Sequence, residues 1–111
     1  MTDPLPLLQG TLDLLVLKTL AGGPAHGYAV SNHIRERTDG TLRVDDAALY
    51  QALHRLERQR FVTAEWGLSE NNRKAKFYSL TAKGSRHLGA EAKRWERYAS
   101  AVFAVLRPAE G

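Results

Sequence analysis

The stretch Val44-Asp45-Asp46-Ala47-Ala48-Leu49-Tyr50-Gln51-Ala52-Leu53-His54-Arg55-Leu56-Glu57-Arg58-Gln59-Arg60 decides how the chain is read. Asp45 or Asp46 can cap the first free amides of a helix, and negative charge suits that end of the dipole. Leu49, Leu53 and Leu56 recur at helical spacing and form one apolar stripe. The opposite face carries Ala47, Gln51, His54, Arg55 and Arg58. That layout suits a helix lying in a DNA major groove. Small residues admit close approach, Gln51 can pair with a base edge, and Arg55 or Arg58 can reach guanine or phosphate. By itself the stretch reads first as an ordinary surface helix with solvated charges, and the flanking sequence changes that balance.

Downstream the period switches from helix to strand. Val62, Ala64 and Trp66 alternate with Thr63, Glu65 and Gly67, as in a half-buried strand. Ser69-Glu70-Asn71-Asn72-Arg73 is turn chemistry, and Ala75, Phe77 and Ser79 then alternate with Lys76, Tyr78 and Leu80. The pair predicts a β-hairpin with Arg73, Lys74 and Lys76 at or near its tip. Upstream, Thr11 to Ala21 predicts a helix apolar on most sides, with Thr11 as its cap; Gly22-Gly23-Pro24 ends it. His26 to Arg37 predicts a second helix with Tyr28, Ala29, Val30 and Ile34 on its apolar side. Thr41 to Val44 predicts a short strand, and Pro4 and Pro6 keep residues 1–6 extended. Three helices followed by a basic-tipped hairpin is the order of a winged helix-turn-helix. The third helix would enter the major groove, and the hairpin tip would touch backbone or minor groove.

Thr81 is the expected cap of a last helix running to about Leu106. Leu88, Ala92, Trp95, Ala99, Val102 and Leu106 follow a four-three spacing that makes a heptad seam. So long a helix projects beyond so small a domain, and its apolar stripe points to a homodimer. Residues 1–80 are therefore expected to form the DNA-binding unit and 81–111 a dimerisation helix, in a mainly α fold with a small hairpin.

Composition agrees without deciding the matter. The 111 residues are 43% hydrophobic and 25% charged, as in a soluble globular domain. Sixteen Lys+Arg against twelve Asp+Glu give +4, a mild excess that favours a polyanionic partner. Without Cys there is no disulfide framework, thiolate metal site or Cys nucleophile. Gln9, Gly10, Asp13 and Lys18 interrupt the leucine-rich N-terminal run. It predicts a buried helix, not a membrane span, in a cytoplasmic protein.

These residues together resemble the PadR family of bacterial transcriptional regulators. The resemblance rests on Gly10 to Leu20, His26-Gly27-Tyr28, Leu49-Tyr50 with Leu53 to Glu57, Trp66 to Tyr78, and Leu80 to Gly84. It implies a winged-helix repressor of the family's short branch, dimerising through one C-terminal helix and binding double-stranded operator DNA. It also implies that Tyr50, as the motif tyrosine, lies near a phosphate, and that Asn72, Arg73 and Lys74 belong to the wing. The sequence departs from the family pattern at Ala47-Ala48, where Gly-Ser is typical. It departs again at Gln51, where Pro is frequent, and at Arg60, where a Gly usually ends the helix.

The expected DNA-binding residues are thus Tyr50, Gln51, His54, Arg55, Arg58, Asn72, Arg73, Lys74 and Lys76. No cofactor and no metal is expected. His26, His33, His54 and His87 lack ligand spacing, and Asp45-Asp46 is better read as a cap than as catalytic chemistry. Without a phosphate loop or nucleophile elbow, an enzyme is not expected. The alternative reading is a winged-helix module that binds protein and not specific DNA. A further expectation concerns Trp95. Two indoles facing across a dimer axis could sandwich a small flat aromatic effector, against the plainer reading of interface packing.

Overall fold

The computed structural model describes residues 5, 7–8 and 10–109. In order these form α1 (Thr11–Leu20), β1 (Ala25–His26), α2 (Gly27–Arg37), α3 (Asp46–Arg58), β2 (Val62–Leu68), β3 (Lys74–Leu80) and α4 (Ala82–Leu106). The mainly α fold with a hairpin is as the sequence predicts. The sheet has three strands in the order β1-β3-β2, all antiparallel. The hairpin register runs from Val62 opposite Leu80 to Leu68 opposite Lys74.

The core lies where α1, α2 and α3 cross beneath the sheet. Val16 and Leu17 of α1, Val30 of α2, and Leu49, Leu53 and Leu56 of α3 are almost wholly buried, with Val62 and Tyr78 closing the cluster from the sheet. Two caps match their predictions. Asp45 accepts from the Ala48 amide at 3.2 Å, and Thr81 accepts from the Gly84 amide at 2.9 Å.

Other local features differ from the sequence expectation. Thr11 is inside α1, donating its hydroxyl to the Leu8 carbonyl, and Gly10 takes the cap position in a left-handed conformation (φ 87°). His26 caps α2, its Nδ1 accepting from the Ala29 amide at 3.2 Å. The strand expected at Thr41–Val44 shrinks to one parallel bridge between Leu42 and Leu5. Most of the extended lead at residues 1–6 lies outside the described residues. On α2 the buried stripe is Gly27, Val30 and Ile34, and Tyr28, about 200° round from Val30, is exposed. On β2, Val62 is buried but Trp66 is exposed, because the strand runs out past the helices that cover its root.

α4 begins on the core and leaves it. Gly84 and Leu88 are buried, Ala92 is half-buried, and everything from Ser100 to Ala109 is exposed. Its docking point is the carbonyl of Phe61. The Thr81 amide donates to that oxygen at 3.0 Å, and the Phe61 ring stacks on His87 with centroids 4.1 Å apart. A Cβ on Gly84 would sit 2.0 Å from the same oxygen, so no larger residue fits without moving a backbone. Trp95 lies farther along, where it meets Leu5, Leu7, Leu8, Leu14 and Leu42 around an apolar cavity of about 480 Å³.

α3 ends in a double hydrogen-bonded turn. The Arg60 amide donates to Glu57 O at 3.0 Å, the Phe61 amide donates to Leu56 O at 3.0 Å, and Arg60 itself is left-handed (φ 64°). A side chain there is strained, so Arg60→Gly is expected to raise stability by about 0.5–1 kcal/mol in denaturant unfolding. Gly84→Ala is expected to do the reverse, costing about 2–3 kcal/mol and lowering Tm by roughly 10 °C or more in the same preparation.

Candidate nucleic-acid interface

The outward face of α3 carries Tyr50, Gln51, His54, Arg55 and Arg58, all exposed. Tyr50 leans towards α2, and its ring lies so close to Gly27 that a Cβ there would be 3.1–3.2 Å from the phenol. Glycine at 27 therefore lets the α2 backbone pack against the ring.

The hairpin tip, residues 69–73, is closed by its own backbone. The Ser69 amide donates to Arg73 O at 2.8 Å, and the Asn72 amide donates to Ser69 O at 2.9 Å. Asn72 is left-handed (φ 58°), a conformation Asn tolerates better than most side chains. This turn presents Asn72, Arg73 and Lys74 outward, all exposed.

An open groove of about 960 Å³ separates α2 and α3 from the hairpin. Tyr50 and His54 line it from α3, and Arg73, Lys74 and Lys76 line it from the hairpin. Five of the nine expected DNA-binding residues thus face one space. Gln51 and Arg58 are exposed on α3 outside the groove, as is Asn72 at the tip. Arg55 is also outside it, and its Nη2 is 2.6 Å from Oδ1 of Asp13 on α1. The Asp13 hydrogen bond raises the Arg55 pKa. Lys76 is engaged as well, 3.4 Å from Glu57 Oε1 and 5.6 Å over the Tyr78 ring. Burial pushes the Tyr78 phenol up, and nearby Lys76 partly offsets that.

The groove also contains residues that the sequence reading left out. Tyr28 and Asn32 reach it from α2, and Trp66 reaches it from β2. Reading Tyr28 and Trp66 as core residues hid them. Their wide exposure is the signal, and it exists only in three dimensions. Among the described residues no group of three or more His, Asp or Glu side chains is placed to hold a metal ion. No helix among them is long and apolar enough to cross a membrane.

Comparison with known proteins agrees with this architecture. The chain is 29% identical over 89 residues to "Uncharacterized protein X" of Lysinibacillus sphaericus, covering 80% of this chain and 82% of that one. It is 39% identical over 97 residues to a 37.1 kDa transposon protein of Streptomyces fradiae, covering 87% of this chain but only 26% of that protein. Its fold is similar to a PadR family transcriptional regulator from Eggerthella lenta, with TM-score 0.74 and 30% identity over 91% of this chain and 86% of that one. Residues 16–90 match the Transcriptional regulator PadR-like family, whose members are regulators and not enzymes, and the chain belongs to that family.

Proposed function

We propose that the chain is a cytoplasmic, homodimeric repressor. In this reading α3 lies in the major groove of operator DNA and the wing lies on the adjacent backbone or minor groove. The observation that carries the reading is that the outward side of α3 and the basic side of the hairpin flank one open groove. Tyr50, Gln51, His54 and Arg58 serve as the α3 contacts, and Asn72, Arg73 and Lys74 as the wing contacts. Lys76 and Arg55 have a second duty. Lys76 ties the wing to α3 through Glu57, and Arg55 ties α3 to α1 through Asp13. Family membership favours this reading over a protein-binding module.

Residues 81–111 pair two copies. Trp95, Tyr98, Val102 and Phe103 are exposed along α4, which makes a long apolar face on a water-facing helix. A two-fold axis buries one such face against another. Trp95 lies on that face, and in this reading the two copies of its indole hold a small flat aromatic effector between them.

The test is binding to the DNA upstream of the protein's own gene, against unrelated competitor, over a salt series. Tight, competitor-resistant binding is expected, with log K falling ~0.9 per log salt for each phosphate neutralised by Lys or Arg. The Arg73→Ala/Lys74→Ala variant is expected to flatten that slope by roughly two such steps. Arg55→Ala should change it little, because Asp13 already offsets that charge. Weak binding, equal on all fragments, would instead support the protein-binding module. Separately, Val102→Glu is expected to yield a folded monomer by analytical ultracentrifugation, with helical content retained.

A further inference from the structure

The groove between α2, α3 and the hairpin has a charge balance unlike that of a simple phosphate trap. Lys76 is already paired with Glu57. Arg73 and Lys74 line the groove, but so do the exposed Glu36 and Glu70. Two remaining cations against two carboxylates leave it close to neutral. What the groove does present is neutral donors on exposed aromatic rings. Tyr28 is 70% exposed, Trp66 is 62% exposed, and Tyr50 is 47% exposed. Rings with a polar tip combine contact area with one hydrogen bond.

The rings are also held in place. The His26 ring stacks beside Tyr28 at 6.4 Å and meets the edge of Phe77 at 5.4 Å. The same His26 is fixed by its hydrogen bond to the Ala29 amide. Lys74 Nζ sits 5.3 Å over the Trp66 ring. Side chains ordered before a ligand arrives lose less freedom on binding it.

The duplex itself supplies the occupant. One sugar–phosphate strand separates a major groove from the adjacent minor groove. With α3 in the first and the wing in the second, that strand must pass between α3 and the hairpin. We propose that Tyr28 and Trp66 clasp this strand from the two sides of the groove. The Tyr28 phenol and the Trp66 indole N–H donate to phosphate oxygens, and the ring faces rest on deoxyribose. The inference rests on the DNA-binding reading and adds two specific contacts to it. It also adds a thermodynamic signature. Neutral donors release few counterions, so the affinity they add is nearly independent of salt, unlike that from Lys or Arg.

The test uses the full chain and the upstream DNA fragment at pH 8. Affinity is measured across a salt series for wild type, Tyr28→Phe/Trp66→Phe and Lys74→Ala. Both replaced residues are exposed, and the melting curve of the double variant should match wild type. The double variant is expected to bind about tenfold more weakly at every salt concentration, on a line parallel to wild type. Lys74→Ala should give a line shallower by ~0.9. Affinity of the double variant within twofold of a DNA-binding wild type would overturn the clasp alone. So would a slope that flattens as it does for Lys74→Ala. Wild type that binds no DNA at the lowest salt would overturn the DNA-binding reading, and the clasp with it.

Discussion

Burial of Leu49, Leu53 and Leu56 sets the rotation of α3 about its own axis, and the interface follows from that rotation. All three side chains are at most 1% exposed. A helix turns as a rigid body, so placing one stripe against α1 and α2 leaves Gln51, His54 and Arg58 facing out. Losing one of those leucines would cost about 2–5 kcal/mol and would free the helix to turn. Tyr50 sits at the margin of this stripe, and glycine at 27 avoids a Cβ that would crowd its ring. The α2 stripe and the α3 stripe thus meet through a position without a side chain.

The second constraint is the end of α3. Arg60 and Phe61 close the helix by donating to Glu57 and Leu56, and the chain turns directly into β2. The Phe61 carbonyl then receives the Thr81 amide, while Thr81 caps α4. Gly84 packs against the same oxygen from the first turn of α4. One residue, Phe61, therefore marks where α3 stops, where the hairpin starts and where α4 departs. Lys83 adds to the junction by donating to Gln59 O at 3.0 Å.

Features with a local signal could be read from the sequence. The leucine stripe of α3, the Asp45 and Thr81 caps, the hairpin and the four-three repeat of α4 each show within a short window. β1 could not be read, since two residues following a proline carry no period. Tyr28 and Trp66 misled, because an aromatic on an alternating or helical pattern is more often core than surface. The partners of Arg55 and Lys76 were invisible for another reason. Asp13 lies 42 positions before Arg55, and Glu57 lies 19 before Lys76. No periodicity encodes a contact at that separation. The heptad seam was legible as a pattern, but only the structure shows its gradient from buried Leu88 to exposed Leu106.

Those ion pairs change what the net charge means. The chain carries a formal +4, and composition alone spreads that excess over the whole surface. Among the described residues three cations answer carboxylates within the fold: Arg55 to Asp13, Lys76 to Glu57 and Arg94 to Glu91. Each pair is at least partly exposed and contributes less than about 1 kcal/mol to stability. Two of them bridge separate elements, α3 to α1 and the wing to α3. Cations engaged in this way neutralise phosphate less readily than Arg58, Arg73 or Lys74 do. A small domain whose cations pair within the fold has fewer left for a polyanion. The exposed tyrosine and tryptophan side chains of the groove present contact area there without adding charge that α1, α3 and the wing would have to balance.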